Sequence, residues 1–267
     1  MSGEATEGYQ SRCNDLSVSV VMPAFNSEKY ISEAIESVVN QTHSDLELIV
    51  VVDGGSDRTK FLVERFSKKD ARVRLVVHEF NKGVAEARNT ALKIATGRYI
   101  AFCDSDDIWL PNKLSIQLEI MRSNKAVLSH SSAYLIDERG RRTGVRKIPK
   151  HIDLKMMYWR NFIINSSGVI DSLFFSSIAQ HDIRSEDYDM WFRLFIEGKV
   201  SVGSDDYLLK YRVHKLSLTP NLVKSIIWMI KVQRKNQRPW LRIFLGFFYN
   251  AASRIRLSPA RQSDTEL

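Results

Sequence analysis

The sequence predicts an α/β protein with a Rossmann-like, mostly parallel central sheet flanked by helices. The first hundred residues contain four short, nearly continuous apolar runs, at 17–22, 46–52, 73–77 and 99–103. Such runs are typical of strands that are buried on both faces of a parallel sheet. Helical patterns separate them, and this spacing predicts right-handed crossovers between parallel strands.

Three helices are expected between these strands. Apolar residues recur in pairs every four residues over 30–39, where Ser27 is a candidate N-cap. A shorter pattern covers 61–66. A third helix is expected over 84–95, with Gly97 just beyond it as a C-terminal cap.

The remaining elements are less regular in pattern. They are a helix at 114–124, a strand at 126–136, a polar turn or mobile loop at 137–147, a helix at 186–198 and strands at 200–203 and 207–213.

The composition is that of a folded globular chain. Its 267 residues are 44% hydrophobic and 26% charged, which excludes global disorder. Two cysteines, Cys13 and Cys103, exclude a disulfide framework and a four-thiolate zinc site. Cys103 lies in an apolar run, so we expect a buried, inert thiol. The polar first 15 residues lack the apolar core of a secretory signal, and we expect a cytoplasmic protein.

Three of the predicted strands are followed by candidate ligand-binding segments, two of them acidic, at the sheet edge where open α/β proteins bind ligands. They are PAFN (23–26), DGGSD (53–57) and DSDD (104–107). Carboxylates this close repel one another unless a cation compensates, and Mg²⁺ or Mn²⁺ suits such oxygen ligands. A turn alone would explain DGGSD, but three acids in four residues exceed what a turn needs. An aspartyl-phosphate phosphatase is not favoured, because the first strand ends without an acid.

Five ordered motifs resemble the family 2 inverting glycosyltransferases of the GT-A fold. They are VSVVMPAFN, IVVVDGGSDRT, NKGVAEARN, YIAFCDSDDIWLPNKL and SEDYDMWFRL, and the resemblance covers roughly residues 17–219. It implies transfer of a sugar from a nucleotide-diphosphate donor, usually UDP-linked, with a divalent metal, Mn²⁺ or Mg²⁺, as cofactor. The implied acceptor is a hydroxyl of a glycan or lipid-linked glycan in the synthesis of O-antigen, capsule or exopolysaccharide.

The resemblance also assigns residues to the nucleotide sugar. Asp53 matches the carboxylate that hydrogen-bonds the donor's base. Pro23, Ala24 and Asn26 match the loop that flanks this base, and Arg88 matches the basic residue near the donor.

The resemblance assigns the metal to the DSD motif. Asp104 matches the acid near the ribose and Asp106 the metal ligand, with Ser105 between them. His214 matches a histidine that returns to the donor site and can reach the metal, although a lone histidine is also often structural. The loop departs from the family's usual D-D-G-S-x-D, because Gly54 replaces the second acid.

Asp187 matches the family's catalytic base, and Glu186 is expected to orient groups around it. The alternative is ordinary capping, because Ser185 followed by two acids is also a common start of a helix.

The net charge of +8 lies in one segment. Between Leu222 and Leu257 the chain has eight basic residues and no acid, mixed with large apolar side chains. We expect this segment to bind an anionic membrane surface, which would place the protein on the inner face of the cell membrane. The alternative is a pair of helices packed on the catalytic domain. Nucleic acid is not an expected partner, because no nucleic-acid-binding motif accompanies the charge.

These predictions divide the chain into five segments. They are a disordered tail (1–15), a nucleotide-sugar-binding half (16–110), an acceptor-binding and catalytic half of the same domain (111–220), a basic, aromatic, helical segment (221–258) and a second disordered tail (259–267). The leading hypothesis is an enzyme. The alternatives are a non-catalytic nucleotide-sugar-binding partner of a polysaccharide synthesis complex, and an adaptor that binds through the basic segment.

Overall fold

The computed structural model describes residues 15–174, 178–183, 185–214 and 222–236. The predictions for Cys13, for both terminal tails and for the basic segment beyond 236 lie outside these residues.

The described residues form one nine-stranded sheet in the order β3–β2–β1–β4–β8–β6–β9–β5, with β7 paired to β6. The strands are β1 (Val18–Ala24), β2 (Leu46–Asp53), β3 (Val73–His78), β4 (Tyr99–Phe102), β5 (Ile108–Trp109), β6 (Leu128–Ile136), β7 (Arg142–Arg146), β8 (Val169–Asp171) and β9 (Ser201–Arg212). The helices are α1 (Ile31–Val39), α2 (Thr59–Lys69), α3 (Val84–Ile94), α4 (Lys113–Asn124), α5 (Leu154–Met157), α6 (Glu186–Ile196) and α7 (Leu222–Lys235).

The predicted α/β fold is confirmed, and the first half of the sheet is parallel. β1 pairs in parallel with β2 and β4, and β2 pairs in parallel with β3. Every residue of β1 is buried, as expected of a central strand. The second half is mixed, because β8 runs antiparallel to β4 and β6 while β9 runs parallel to β6.

Two capping predictions are wrong. α1 begins at Ile31, and Ser27 lies before it, where its hydroxyl pairs with the Ser105 hydroxyl at 2.8 Å. α3 ends at Ile94, and Gly97 has no left-handed conformation. A Cβ on Gly97 would come within 2.5 Å of the Ser19 backbone nitrogen, so this glycine is required by a close approach of two chain segments.

Two other segments are more regular than the sequence suggested. The strands predicted at 200–203 and 207–213 are one strand, β9, whose pairing with β6 shifts register near Ser131 and Ser132. Two exposed acids in the middle of β9 interrupt its apolar pattern, and for this reason the sequence predicted two strands. Part of the expected polar loop is β7, which pairs with β6.

The core positions the start of α6. Met190, Trp191, Leu194 and Phe195 are all buried, as their spacing predicts. Trp191 meets Phe102 of β4 edge-on, with the ring centroids 5.7 Å apart. Its indole also lies against Gly168, where a Cβ would come within 2.6 Å of the ring. This packing fixes α6 against the end of β4, and Cys103 beside it is a buried free thiol, as expected.

The C-terminal part of α7 packs on the domain. Val232 is fully buried, and the Gln233 amide donates to the Tyr158 carbonyl at 3.0 Å and to the Tyr188 hydroxyl at 3.1 Å. The same helix exposes Lys231, Arg234 and Lys235 on its outer side. The described part of the basic segment is therefore packed against the domain through one face and cationic on another. Among the described helices, none is long and apolar enough to cross a membrane.

Candidate active site

A cleft of about 380 Å³ lies at the carboxyl ends of β1, β2 and β4. It contains seven of the eight residues predicted to bind a nucleotide sugar. The lining residues are Pro23, Ala24, Phe25, Asp53, Asn81, Gly83, Val84, Ala87, Arg88, Asp104, Ser105 and Asp106. We call this the strand-end cleft.

Asn26 is the predicted residue that does not line the strand-end cleft. Its side-chain oxygen accepts a hydrogen bond from the Ser56 N–H at 3.1 Å. A Cβ on Gly55 would come within 2.6 Å of the same oxygen. Asn26 therefore holds the loop after β2 against the end of β1, and this supports the cleft from behind.

Asp53 organises the loop between β3 and α3. Its buried carboxylate accepts hydrogen bonds from the Lys82 and Gly83 N–H groups at 2.9 and 2.8 Å. Nδ1 of His78 lies 2.7 Å from the Asp53 carboxylate, and Nε2 of the same ring lies 3.0 Å from the Thr90 hydroxyl. Sequence reasoning did not select His78. The pairing of Asp53 with His78 in the β2–β3 register, at the ends of two parallel strands, is the signal that identifies it.

Arg88 is the central cation of the site. Its buried guanidinium donates to Asp104 at 2.7 Å and to both Gln180 and Glu186 at 3.0 Å. Burial opposes its charge, but Asp104 and Glu186 raise the pKa of Arg88 above its usual value. Arg88 thus joins the strand-end cleft to the first turn of α6.

The first acid of the DSD motif is held by the domain. Asp104 accepts hydrogen bonds from Arg88 and from the Asn165 amide at 3.2 Å, and its backbone N–H donates to Ser166. Its side chain remains 29% exposed, which leaves part of the carboxylate facing the cleft.

The second acid of the motif meets the predicted histidine. Asp106 lies 2.7 Å from Nε2 of His214, and both side chains are partly exposed. The two groups are hydrogen-bonded to each other, and both a carboxylate oxygen and an imidazole nitrogen are ligand types for divalent ions. The described residues contain no group of three or more such ligands. Because Mg²⁺ and Mn²⁺ sites usually combine one or two protein ligands with water and substrate phosphates, this pair fits such a cation.

The third acid has a structural role. Asp107 is fully buried and accepts a hydrogen bond from the Arg212 N–H at 2.9 Å. Burial, with the charges of Asp106 and Asp104, raises the pKa of Asp107 well above its usual value. The Arg212 side chain donates to the Asp106 carbonyl and to Glu33, so it fixes the loop rather than the ligand.

Asp187 lies at the start of α6, next to Glu186. Burial raises the pKa of Asp187 to about 6, and the charge of Glu186 adds to this effect. Its carboxylate accepts a hydrogen bond from the Asn161 amide at 2.9 Å. Ser185 has a left-handed backbone with φ of 76° and makes no capping hydrogen bond. The geometry therefore differs from the ordinary Ser cap that was the alternative.

Asp187 lines a second cavity of about 560 Å³. Its lining residues are Arg146, Lys147, Arg160, Asn161, Phe162, Ser185, Asp187, Tyr188, Trp228 and Met229. We call it the Asp187 cavity. Sequence reasoning missed its contributions from 146–162, because that region carries no recognisable motif and its residues meet Asp187 only through the fold.

The sequence model of the family described as "Glycosyl transferase family 2" matches residues 19–177. A relative from Escherichia coli, named UDP-Glc:alpha-D-GlcNAc-diphosphoundecaprenol beta-1,3-glucosyltransferase WfgD, is 36% identical over 80% of this chain and 83% of its own length. The putative teichuronic acid biosynthesis glycosyltransferase TuaG of Bacillus subtilis is 35% identical over 78% of this chain and 83% of its own.

Two solved structures share the fold at low sequence identity. S. aureus TarS 1–349 in complex with UDP-GlcNAc aligns with a TM-score of 0.68 and 20% identity, over 88% of this chain and 71% of that one. The mannosyltransferase PcManGT from Pyrobaculum calidifontis, in complex with GDP-Man and Mn²⁺, aligns with a TM-score of 0.66 and 16% identity. The alignment covers 88% of this chain and 71% of that one.

Proposed function

This chain belongs to glycosyl transferase family 2 and is a glycosyltransferase with the GT-A fold. From that premise we propose that it moves a sugar from a UDP-linked donor to a hydroxyl of a lipid-linked glycan, with inversion at the anomeric carbon. One observation carries the proposal. Arg88 donates to Asp104 in the strand-end cleft and to Glu186, so hydrogen bonds connect the proposed donor site to the residue next to the candidate base.

The donor would occupy the strand-end cleft. A UDP-linked sugar is supported by the name of the WfgD relative and by the TarS complex. Pro23, Ala24 and Asp53 line the part of the cleft formed by β1 and β2, where the base would lie. Arg88 of α3 and the DSD residues Asp104 and Asp106 after β4 line the rest of the cleft, where the diphosphate and the sugar would lie.

Asp187 is the group proposed to accept the proton of the acceptor hydroxyl. With a pKa of about 6, it is mostly ionised at neutral pH and more basic than an exposed aspartate. One carboxylate oxygen accepts the Asn161 amide hydrogen, which orients the side chain. As the acceptor oxygen bonds to the anomeric carbon, the bond from that carbon to the diphosphate breaks, and the proton moves to Asp187. A single displacement without a protein nucleophile inverts the anomeric carbon.

The charges of the leaving group need compensation. Asp106 and His214 would hold the divalent cation, and the ion would supply Lewis-acid stabilisation of the diphosphate charge. Arg88 places a second positive charge at the same cleft, and its ion pairs with Asp104 and Glu186 keep its guanidinium in place.

A lipid-linked acceptor would bring the enzyme to a membrane. The name of the WfgD relative includes a diphosphoundecaprenol acceptor. α7 exposes Lys231, Arg234 and Lys235 beside the Asp187 cavity, to which it also contributes Trp228 and Met229. We propose that this cationic face contacts anionic headgroups on the inner face of the cell membrane while its other side packs on the domain.

The donor is tested by thermal protection. Nucleotide sugars with uridine, guanosine or thymidine diphosphate are compared, each with Mn²⁺, with Mg²⁺ and with a chelator. A UDP-sugar should raise the melting temperature only with a divalent ion, because a ligand that binds only the folded state stabilises it. Protection by a GDP-sugar alone would contradict the UDP assignment, and equal protection in the chelator would contradict the metal. The anomeric configuration of the transferred sugar, read by NMR, decides between inversion and retention.

A further inference from the structure

The Asp187 cavity is strongly cationic. Its charged lining residues are Arg146 at the end of β7, Lys147 directly after it, Arg160 and Asp187. Three positive charges therefore face one carboxylate among the described residues that line this cavity. A neutral sugar acceptor alone gives no reason for this excess of charge.

Asp187 compensates the charge of Arg146 in part, but no described carboxylate pairs with its guanidinium directly. Its guanidinium is partly buried and donates to the neutral carbonyl of Asn161 at a long 3.4 Å. Burial lowers the pKa of Arg146 and the charge of Arg160 adds to this effect, whereas Tyr211 and Asp187 raise it. The Arg160 guanidinium lies 4.4 Å from the centroid of the Phe162 ring. Two guanidinium groups thus converge on one cavity, an arrangement that an anionic ligand would stabilise.

We infer that Arg146, Lys147 and Arg160 bind a phosphate or diphosphate group carried by the acceptor. The inference rests on the proposed function, because it places the acceptor hydroxyl at Asp187. Guanidinium groups match the oxygens of a phosphate with paired hydrogen bonds. Arg146 is partly buried, which strengthens its contact with an anion, whereas Lys147 and Arg160 are exposed and would meet the phosphate from the open side of the cavity.

The position of the cations fits a sugar linked to a phosphate. Asn161 donates to Asp187 through its side chain and accepts from Arg146 through its carbonyl. One residue therefore separates the candidate base from the first cation, so a single sugar ring can present a hydroxyl to one and its anomeric phosphate to the other. The cavity volume of about 560 Å³ lies within the usual range for small-molecule sites.

The cavity also has an apolar wall for the group beyond the phosphate. Trp228 and Met229 of α7 form this apolar part of the cavity lining. A hydrocarbon chain leaving the phosphate along these side chains would meet the same helix whose outer face carries Lys231, Arg234 and Lys235. A prenyl-type diphosphate ester of a sugar has these three parts in this order: a sugar hydroxyl for Asp187, a diphosphate for the cations and a hydrocarbon chain for the apolar wall.

Calorimetric binding of geranyl diphosphate tests this inference. The titration is done on the full chain with saturating UDP and Mg²⁺, so that the strand-end cleft is occupied, and geraniol serves as the uncharged probe. We expect geranyl diphosphate to bind the wild type and geraniol to bind far more weakly. Arg146→Gln and Arg160→Gln should each weaken the affinity for geranyl diphosphate by about 10-fold to 100-fold, because each removes a charge-assisted hydrogen bond. Arg146→Lys should recover part of the affinity.

A matched control removes the same charge elsewhere. Arg139→Gln lies on the exposed turn between β6 and β7 and should leave the affinity unchanged. Equal affinity of the wild type and both Gln variants would overturn the inference, and so would an equal loss in Arg139→Gln. Melting curves accompany each variant. If Arg146→Gln does not fold, Lys147→Gln, whose side chain is exposed, provides the same test.

Two further measurements separate the sources of phosphate. UDP affinity is measured first in each protein. If the wild type did not bind UDP, the proposed donor would be contradicted. If it bound UDP normally but did not bind geranyl diphosphate, only the acceptor phosphate site would be contradicted. Phosphatidylglycerol vesicles provide the second arm. If the Gln variants lost vesicle binding but kept their affinity for geranyl diphosphate, the cations would contact lipid headgroups and the inference would be wrong.

Discussion

Arg88 donates a hydrogen bond to Glu186 at 3.0 Å, and this contact joins two parts of the site that are 98 residues apart in the chain. Arg88 comes from α3, which lines the strand-end cleft, whereas Glu186 begins α6. The acid next to the candidate base is therefore held by a residue that lines the strand-end cleft. We therefore propose that Glu186 has a positioning role, and Asp187 is the carboxylate that lines the Asp187 cavity.

Asp187→Asn should separate proton transfer from helix capping. Asparagine keeps the size of the side chain and can still accept a hydrogen bond, but it cannot take the acceptor's proton. We expect a loss of about 10²-fold to 10⁴-fold in turnover at saturating donor and acceptor. The melting temperature should be unchanged or higher, because the substitution removes a charge that burial disfavours.

The control for that variant is Asp182→Asn, the same chemical change at a nearby exposed position. It should leave turnover unchanged. A folded, donor-binding Asp187→Asn protein with normal turnover would exclude Asp187 as the base and make Glu186 the next residue to test.

Asp106→Ala should remove both transfer and the dependence of donor binding on a metal. Asp106 and His214 are the pair proposed to hold the cation, and the loss of one ligand leaves the diphosphate charge uncompensated. Thermal protection by a UDP-sugar should then no longer respond to Mn²⁺. Asp205→Ala removes an exposed acid of β9 and is the matched control. Near-normal turnover of Asp106→Ala with Mn²⁺ would show that the DSD motif is not the metal site.

The outer face of α7 should contribute to membrane binding. Replacing Lys231, Arg234 and Lys235 together with Gln should weaken binding to anionic vesicles, since each basic residue near such a surface contributes about 1 kcal/mol. Added salt should have the same effect on the wild type. Lys60, Lys68 and Lys69 on α2 allow a control with the same change in charge, which should bind normally. If sedimentation with vesicles were the same for both triple variants and insensitive to salt, α7 would serve only as a packed helix.

Residues that follow a strand could be predicted from the sequence. Asp53, Asp104 and Asp106 each follow or end a continuous apolar run, and the parallel crossovers bring those ends to one edge. The helical spacing in α6 likewise predicted four buried residues, although Tyr188, Asp189 and Phe192 are buried as well. These features depend on local periodicity and on one general rule of sheet topology, so a single sequence contains them.

Residues that meet the site from irregular segments could not be predicted. Asn161 and Asn165 approach Asp187 and Asp104 from a stretch with no long helix or strand, and Gln180 reaches Arg88 from another. Their contacts depend on how the mixed half of the sheet folds back, which no local pattern records. Gly97 shows the same limit, because a close approach to another segment and a helix cap both favour glycine.

The acid limb of the pH profile provides the sharpest test of how Glu186 acts. If Asp187 is the base, activity should rise with pH through about 6, because only the ionised carboxylate can accept the proton. The negative charge of Glu186 helps to raise the pKa of Asp187, while Arg88 lowers it. Glu186→Gln removes the repulsion but keeps a side-chain oxygen that can accept from Arg88. The midpoint of the acid limb in kcat/KM should therefore move to lower pH, by on the order of one unit.

The direction of this shift distinguishes positioning through charge from direct proton transfer. If Glu186 itself were the base, Glu186→Gln would abolish turnover at every pH rather than move the midpoint. Glu119→Gln, a neutralised acid on the exposed side of α4, should leave the profile where it is in the wild type. A midpoint that moved to higher pH in Glu186→Gln would mean that the freed positive charge of Arg88 does not act on Asp187, and the proposed coupling between the strand-end cleft and the base would then be wrong.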